Sequence, residues 1–463
     1  MGYFYGITGA KNQIVVGNMQ KLKFERLIYY KLILLAGLSI FFFTSYNLTN
    51  WYTANLSDVG SLFFSWESLI PLWPWTIVPY WSIDLMYGLA ILLATSKQSL
   101  KILCLRLFSA QIICITCFLI FPLKFSFERP NLDGFLGLWF DVLMGFDKPF
   151  NQAPSLHITL LVILWQFYNC YFQSKFNQLL LHVWCFLIAL SVLTTWQHHF
   201  FDVPTGLWAG CFCIWLWPEN GMTPLKSKSY AKQYTWSGIY FLLFLLSLIL
   251  AIYIGGIGLW LLWLAGAFVL VSANYLVFGA TGFQKQANGH FPFAITILYL
   301  PYFAIMWLNS RLWTLKNKPA DFIMDSVYLG RIASHNTLQT KRIVSIVDLC
   351  AELPIGQFNG HYSLIPILDM TPLSIKQCQL AAETIDQFQK QGSVLVCCAL
   401  GYSRSATAVI AWLLLTKRAA NVEDAITKVK TARCSVVISS KQKALLINWF
   451  NRISKENSDG KCK

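Results

Sequence analysis

The sequence predicts a polytopic α-helical membrane domain followed by a C-terminal α/β domain. Of its 463 residues, 56% are hydrophobic and only 12% are charged, a composition far from that of a soluble protein. Residues 1–310 hold 16 Lys and Arg and 10 Asp and Glu, whereas residues 311–463 hold 20 and 11. This rise in charge density predicts that the membrane domain ends near residue 310.

Eight apolar segments account for the membrane domain, since each approaches the ~20 residues that a helix needs to cross a bilayer. They are residues 27–46, 76–95, 102–121, 155–172, 178–196, 203–217, 236–254 and 258–278. Lys21, Lys23 and Arg26 precede the first segment, which has no small-residue cleavage site. We therefore expect a cytoplasmic N-terminus over residues 1–26 and an uncleaved first helix.

A ninth apolar segment, residues 292–310, is interrupted by Pro292 and Pro301. Lys285 precedes it and Arg311 follows it. Positive charge on both flanks indicates that both ends face the cytosol, so we interpret the segment as an interfacial or re-entrant helix. The C-terminal domain would then be in the cytoplasm, a reducing compartment.

The tail has the pattern of an α/β domain. Short β-prone runs predict strands and longer amphipathic runs predict helices. The strands are expected at 343–347, 363–368 and 393–397, and the helices at 373–390, 404–417, 421–431 and 440–453. We divide the chain into the N-terminus (1–26), a six-helix membrane domain (27–217), a region with two further membrane helices and the interfacial helix (218–310), and the α/β domain (320–455).

The net charge of +15 does not indicate a nucleic-acid partner, because the basic residues lie in short loops and in the tail without a long run. Orientation in the membrane and attraction to anionic lipid explain the charge more simply. The 13 cysteines are scattered and several fall in apolar segments, which argues against a disulfide framework or a zinc site. We expect a lipid bilayer as a partner, and neither a metal nor another cofactor.

A Cys-x5-Arg loop lies within residues 394–406, between a β-prone run and a helical stretch. Such a loop can wrap a tetrahedral oxyanion, with backbone N–H groups and a helix N-terminus supplying positive potential and Arg404 gripping two oxygens. The same field favours a thiolate at Cys398, the predicted nucleophile. Gly401 would permit the tight backbone, and Ser405 could hydrogen-bond the thiolate.

This loop resembles that of the cysteine-dependent dual-specificity phosphatases, and the resemblance covers about residues 322–453. It implies that Asp369, 29 residues before Cys398, is the general acid that protonates the leaving oxygen and later activates water. The His that usually precedes the nucleophile is Cys397 here. The loop interior carries no basic residue, which favours a monophosphorylated substrate.

A second group of ionisable residues falls at the predicted outer face of the membrane. His198 and Asp202 are four positions apart, so on a helix they share a face and the carboxylate can fix the imidazole tautomer. His157 offers a second imidazole to protonate a leaving oxygen, and Arg129 and Lys124 can hold phosphate oxygens. Ionisable residues beside lipid are costly, and function is their default explanation.

These segments resemble the motifs of the type 2 phosphatidic acid phosphatase superfamily, and Pro-Ser-Leu-His with His-His-Phe-Phe-Asp is most similar to its inositol phosphorylceramide synthase-like branch. The resemblance implies a His198 nucleophile, an orienting Asp202, a general acid at His157 and phosphate ligands at Ser155 and Arg129. Two departures are that Ser191-Val192 stands where the family has Ser-Arg, and that Lys124 is closer than usual to Arg129.

Together the two halves resemble a bacterial membrane-protein family that fuses these two phosphatase domains. The resemblance implies a multi-pass protein of the bacterial inner membrane with two sites for phosphate monoesters. The His-dependent site would act on a lipid phosphate, and the Cys-dependent site on a phospholipid headgroup or a phosphoprotein. Two alternatives stay open: a headgroup phosphotransferase with an attached phosphatase, or an inactive membrane anchor with an active Cys phosphatase.

Overall fold

The computed structural model describes residues 6–221, 223–226 and 232–459, without the side chains of residues 6–26, 146 and 454–459. Of the predicted cytoplasmic N-terminus, residues 1–5 lie outside the described part, and residues 6–26 belong to the helix Gly6–Ala54. The contacts divide the chain into two compact units, Met1–Thr223 and Pro224–Lys463. Residues 224–310, which the sequence predicts as a separate membrane region, thus group with the α/β domain.

The first unit consists of helices. In chain order they are α1 (Gly6–Ala54), α2 (Ile77–Leu93), α3 (Lys97–Ile120), α4 (Gly134–Phe146), α5 (Leu156–Tyr171), α6 (Lys175–Thr194) and α7 (Asp202–Leu216). Side-chain caps fix two of the starts. Ser96 accepts a hydrogen bond from the Ser99 amide at 3.0 Å, and Ser155 accepts one from the Ile158 amide at 3.3 Å, which satisfies backbone donors that the first turn leaves unpaired.

Helices α5 and α7 cross closely because α7 presents two glycines at the contact. A Cβ atom at Gly206 would lie 2.6 Å from the Ser155 carbonyl oxygen, and one at Gly210 would lie 2.8 Å from the Val162 Cβ. Small residues spaced four apart let helix backbones approach in this way. The crossing matters because α5 carries His157 in its first turn and α7 begins at Asp202.

The second unit begins with a helical hairpin and a third long helix. They are α8 (Tyr234–Ile254), α9 (Leu261–Ala273) and α10 (Phe293–Trp313), with short 3-10 and π segments over residues 256–260 and 274–283. Gly255 and Gly256 make the turn between α8 and α9 with φ values of 60° and 44°, a region that glycine tolerates. Ser237 near the start of α8 lies 3.0 Å from Ser272 near the end of α9, so the two helices are antiparallel.

The α/β domain has a five-stranded sheet in the order β1-β2-β5-β3-β4. The strands are β1 (Ala320–Met324), β2 (Val327–Arg331), β3 (Ser345–Cys350), β4 (His361–Ile367) and β5 (Val394–Cys398), and the helices are α11 (His335–Thr340), α12 (Ile375–Gln389), α13 (Arg404–Leu415), α14 (Val422–Ala432) and α15 (Ser440–Asp459). Only β1 and β2 pair antiparallel. The three predicted strands are found as β3, β4 and β5, and the hairpin β1–β2 precedes them.

Seven helices of the described residues are long and apolar enough to cross a membrane. They cover Leu27–Ala54, Pro74–Leu93, Lys97–Ile120, Lys175–Thr194, Tyr234–Ile254, Gly256–Phe283 and Phe293–Trp313. The predicted spans 155–172 and 203–217 form α5 and α7 with 16 and 15 residues, which is short for a full crossing. Residues 292–310 form a continuous helix through Pro301. The predicted fold class, a helical membrane domain joined to an α/β domain, is confirmed.

Candidate active sites

The thiol site lies where β5 ends and α13 begins, and it comprises Cys398 and the polar groups around its sulfur. The Gly401 amide donates to Cys398 Sγ at 3.2 Å, and the Ser405 hydroxyl donates to the same atom at 3.2 Å. Both donors stabilise a thiolate more than a thiol. Cys398 is 3% exposed, so its sulfur lies at the base of the loop, as expected for a nucleophile that receives a bound phosphate.

Arg404 is held by two carboxylates. Its guanidinium donates to Glu352 through both terminal nitrogens, 2.9 Å from Nη1 and 2.5 Å from Nη2, and Nη2 lies 3.0 Å from Asp369 Oδ1. Burial opposes its charge, but the Coulombic attraction of Glu352 and Asp369 raises the pKa of Arg404 well above its usual value. The arginine is therefore a permanent cation held by Glu352, and the predicted general acid, Asp369, lies against it.

Glu352 is a functional candidate that the sequence reasoning missed. It follows β3, just as Asp369 follows β4 and the Cys loop follows β5. The carboxyl ends of neighbouring parallel strands meet at one edge of a sheet, where ligands usually bind. That rule applied to β3 is the signal that could have found Glu352, which lies 52 positions before the arginine that it orients.

Arg433 donates hydrogen bonds to the backbone of the Cys loop, and it was not predicted either. Its Nε donates to the Gly401 carbonyl at 3.0 Å and its Nη1 donates to Asp321 at 2.6 Å. Gly401 has a φ of 76°, and a Cβ atom there would lie 2.4 Å from the backbone of Gly330. The predicted need for glycine at 401 therefore has two causes, a left-handed conformation and the approach of β2.

Cys397 lies on the opposite side of β5 in a separate polar cluster. Asp348 is its register partner on β3, and Asp348 accepts hydrogen bonds from Lys285 at 2.6 Å and from Tyr362 at 2.7 Å. Burial, followed by the negative charge of Asp348, raises the pKa of the Cys397 thiol well above its usual value. The Cys397 thiol is therefore buried beside a carboxylate, and Asp348 has a structural role in this cluster, where it binds Lys285 and Tyr362.

The imidazole site lies at the ends of α5 and α7. Nδ1 of His198 is 3.2 Å from Oδ2 of Asp202, which leaves Nε2 as the nitrogen that can attack phosphorus. The ring of His157 stacks on Tyr80 at 4.2 Å between centroids, and its buried Nε2 has no hydrogen-bond partner among the described residues. Both histidines line one cavity of about 410 Å³. The structure therefore brings the predicted nucleophile and acid together.

The described polar contacts of the predicted phosphate ligands are with other protein groups. Arg129 donates to the Trp196 carbonyl at 2.9 Å and lies 4.9 Å above the Phe140 ring. Ser155 is fully buried, and its hydroxyl serves as the cap of α5. Lys124 is exposed, and its described contact is the backbone hydrogen bond to Gly60 at 2.9 Å. Of these three residues, Lys124 has the weakest support for the predicted phosphate-binding role, because its described contact is made by the backbone.

Two acidic residues, Asp84 and Asp147, line the cavity in addition to the predicted site residues. Asp147 accepts hydrogen bonds from Tyr46 at 2.6 Å and from Tyr80 at 3.0 Å, and Asp84 also lines the cavity. Burial raises the pKa of Asp147. No short spacing links these residues to the histidine motifs, so no pattern in the sequence points to Asp147.

His199, next to the predicted nucleophile, has both ring nitrogens occupied. Nδ1 is 2.9 Å from Glu67 and Nε2 accepts from the Ser126 amide at 3.0 Å. Burial alone would raise the pKa of Glu67, but hydrogen bonds from His199 and from the Phe64 and Phe200 amides lower it below its usual value. His199 is therefore a structural residue that joins two loops.

Comparison with known proteins assigns both sites to domain families. Residues 327–452 match the family model "Dual specificity phosphatase, catalytic domain", and residues 99–221 match "PAP2 superfamily". The first range holds Cys398, Arg404 and Asp369, and the second holds His157 and His198. Over residues 327–452 the chain is therefore similar to a phosphatase catalytic domain.

More particularly, the chain combines a PAP2 superfamily domain with a C-terminal dual specificity phosphatase domain, as predicted. It is 37% identical over 100 residues to dual specificity protein phosphatase 14 of Homo sapiens, which is 20% of this chain and 50% of that protein. It is 34% identical over 118 residues to dual specificity protein phosphatase 4 of Homo sapiens, which is 24% and 29%. The chain thus spans half or less of the length of these relatives.

A crystal structure of PTPMT1 in complex with PI(5)P matches with 18% sequence identity and a TM-score of 0.28. The match covers 30% of this chain and 99% of that chain. A crystal structure of human DUSP28 matches with 19% identity and a TM-score of 0.28, over 30% and 97% of the two chains.

Proposed function

We propose that the protein is a membrane-bound bifunctional phosphatase that hydrolyses phosphate monoesters at two independent sites. The imidazole site acts on lipid phosphates, and the thiol site acts on a phospholipid headgroup or a phosphoprotein. The observation that carries the proposal is the convergence on Cys398 Sγ of two hydrogen-bond donors, each at 3.2 Å, in a loop that Arg404 follows as the first residue of α13. A sulfur so placed is an activated nucleophile in a cradle for a tetrahedral anion.

At the thiol site the reaction has two steps. Sγ of Cys398 attacks phosphorus while the bond to the leaving oxygen breaks, and Asp369 gives that oxygen its proton. Water then attacks the phosphocysteine, Asp369 takes the proton of that water, and inorganic phosphate leaves with return of the thiolate. The incoming phosphate replaces Asp369 at Arg404, and Asp369 takes up a proton as it leaves this ion pair, so substrate binding itself prepares the general acid for the first step.

At the imidazole site the sequence of events is parallel. Nε2 of His198 attacks phosphorus, and Asp202 stabilises the positive charge that develops on the ring. His157 protonates the leaving oxygen, and water then hydrolyses the phosphohistidine. Neither scheme routes a step through a metal, because guanidinium, imidazolium and backbone N–H groups stabilise the charge.

We place the protein in a bacterial inner membrane with the N-terminus and the thiol site in the cytoplasm, and its membrane half in the inositol phosphorylceramide synthase-like branch. The flanking charges of the apolar segments and the Pro-Ser-Leu-His motif support this assignment. A topology reporter joined after residue 320 would test the orientation, since a periplasmic signal contradicts it.

The transferase alternative has one observation in its favour. The cavity of about 410 Å³ contains Asp84 and Asp147 together with the two histidines, and a carboxylate there could accept a hydrogen bond from an acceptor alcohol. A lipid that exchanges its headgroup would establish transfer, whereas release of inorganic phosphate establishes hydrolysis.

The test uses purified full-length protein in detergent with a panel of lipid phosphates and p-nitrophenyl phosphate. We expect Cys398→Ser to remove aryl phosphate hydrolysis and His198→Ala to remove the part of lipid phosphate hydrolysis that Cys398→Ser retains. Cys397→Ala and His199→Asn are the matched neighbours, and we expect smaller losses. If His198→Ala left lipid phosphate hydrolysis unchanged, the membrane half would be an inactive anchor.

A further inference from the structure

Helix α10 contacts the α/β domain at both of its ends. Before its start, Lys285 Nζ donates to the Cys350 carbonyl at 2.8 Å, and the Gly289 carbonyl accepts from the Ile355 amide at 3.1 Å. Near its C-terminus, the Ser310 hydroxyl donates to the Ala399 carbonyl at 2.6 Å. A helix of 21 residues is about 30 Å long. One that crossed a bilayer could not bring both ends to a single soluble domain, so α10 lies along the domain.

The contacts made by residues 274–317, here called the covering segment, concentrate on the thiol site. Tyr275 donates its hydroxyl hydrogen to the carbonyl of Asp369 at 3.1 Å. Ser310 holds the carbonyl of Ala399, the residue after the nucleophile, and Tyr402 in the same loop donates to the Trp313 carbonyl at 2.7 Å. The general-acid loop and the Cys loop are therefore both fixed by the covering segment.

The opposite face of α10 is apolar and exposed. It presents Leu300, Ile305, Trp307, Leu308, Leu312 and Trp313, each at least 42% exposed. The hairpin α8–α9 also begins and ends beside this segment, since the Gln233 amide donates to the Tyr275 carbonyl at 3.0 Å. Each hairpin arm lies in a stretch long and apolar enough to span a bilayer. Continuity with this hairpin indicates that lipid covers the exposed face of α10.

We propose that the thiol site takes a phosphate monoester carried by a membrane lipid, with the covering segment as one wall of the site and Tyr275 as a positioning residue for Asp369. This inference rests on the Cys398-dependent hydrolysis proposed above. The loops that a phosphoprotein would have to approach are held against apolar segments at the bilayer, so a polypeptide meets an obstructed entrance. A lipid headgroup enters from the membrane side, and its alcohol stays in the bilayer after Cys398 takes the phosphoryl group.

The leaving group provides a specific test of Tyr275. A lipid alcohol is a poor leaving group and needs the proton of Asp369, whereas p-nitrophenolate leaves without it. Loss of the Tyr275 hydroxyl should therefore slow lipid hydrolysis selectively. Tyr275→Phe keeps the ring, which stacks on Tyr240 at 5.5 Å between centroids, and Tyr253→Phe in the exposed end of α8 is the matched control.

The experiment uses the full chain carrying His198→Ala, reconstituted in phosphatidylcholine–phosphatidylglycerol vesicles, so that the thiol site is measured alone. The probes are phosphatidic acid, a lipid with a glycerol phosphate headgroup, a tyrosine-phosphorylated peptide and p-nitrophenyl phosphate. We expect kcat/KM for one of the two lipids to exceed that for the peptide by about 100-fold or more, a margin set by how well each substrate reaches the catalytic geometry. A peptide preferred over both lipids would overturn the inference and leave Cys398-dependent hydrolysis intact.

If the same protein kept its full activity after the further change Cys398→Ser, the proposed function itself would be refuted. In the Tyr275→Phe protein we expect kcat on the lipid to fall roughly 10-fold, as for other residues that orient a catalytic group, with KM and the aryl phosphate rate within about 2-fold of the parent. Equal losses on lipid and aryl phosphate would show a merely structural tyrosine and overturn its positioning role. The retained aryl phosphate rate reports that the variant is folded.

Discussion

The thiol site and the imidazole site obtain positive charge for a phosphate in different ways. At the thiol site a buried guanidinium is already fixed by Glu352 and Asp369, and its charge does not depend on pH in the physiological range. At the imidazole site the nearest predicted arginine, Arg129, is tied to the Trp196 carbonyl, and the cavity has two histidines and two carboxylates. The comparison teaches that an α/β domain can preorganise a permanent cation, whereas in the proposed scheme the helical unit uses imidazoles that gain charge during the reaction.

The largest expected effect tests the permanent cation. Arg404→Lys keeps a positive charge but loses the planar fork that can bind Glu352 and phosphate together. We expect kcat for aryl phosphate to fall about 10³-fold, in line with the loss of an oxyanion donor, while the imidazole site is unaffected. Steady-state assays with p-nitrophenyl phosphate measure this loss, and a fall below 10-fold would mean that charge alone suffices.

The corresponding change at the imidazole site is Asp202→Asn. The amide can no longer stabilise a positive His198 ring, so we expect lipid phosphate hydrolysis in a Cys398→Ser background to fall about 10²-fold. Asp141→Asn, in the exposed part of α4, is the control. Equal rates for Asp202→Asn and the parent would remove the distinction between the two sites, because His198 would then act without an orienting carboxylate.

A smaller effect is expected from the α5–α7 crossing. Gly206→Ala places a Cβ atom 2.6 Å from the Ser155 carbonyl and 2.9 Å from Ile158, so α5 has to move and His157 shifts relative to His198. We expect a loss of roughly 10-fold at the imidazole site, since small displacements of catalytic groups are costly. Gly37→Ala in α1 has open space around it and should cost nothing, and the thiol site should keep its activity in both variants.

The smallest effect concerns the neighbouring thiols. Because burial raises the pKa of Cys397, its thiol stays protonated and unreactive at pH values below that raised pKa. We expect brief treatment with iodoacetamide between pH 6 and pH 8.5 to label Cys398 and to leave Cys397 unlabelled, as read by peptide mass spectrometry. Cys397→Ala should retain aryl phosphate hydrolysis within about 3-fold, the range of a tolerated core change. Labelling of Cys397 at pH 7 would contradict this.

The parts of the sites that local spacing predicts lie within a few residues of one another, whereas the roles of Asp369 and His157 are implied by the family resemblances. Cys398, Gly401, Arg404 and Ser405 share one loop, and His198 and Asp202 share one turn of chain, so local chemistry identifies them. Glu352, Asp147 and Tyr275 reach the sites only through tertiary packing. No periodicity in the sequence records which distant strand end or helix turn will meet a motif.

The fold follows the same division. Strands β3, β4 and β5 are apolar runs and are predicted, whereas β1, whose middle residue is exposed, pairs only with β2 at the edge of the sheet. Pro301 removes one backbone donor from α10, but the helix continues because Tyr299, Tyr302 and Phe303 are buried against their surroundings.

Arg433 joins the Cys loop to the carbonyl of Lys318 at 3.0 Å, and Ser310 joins it to the end of α10. A shortened protein produced from residue 320 onward, the natural choice for making the tail without detergent, would lack both attachments. The turnover of this fragment would be that of a Cys loop without these two hydrogen bonds. Weak catalysis by the fragment would therefore say little about the intact protein.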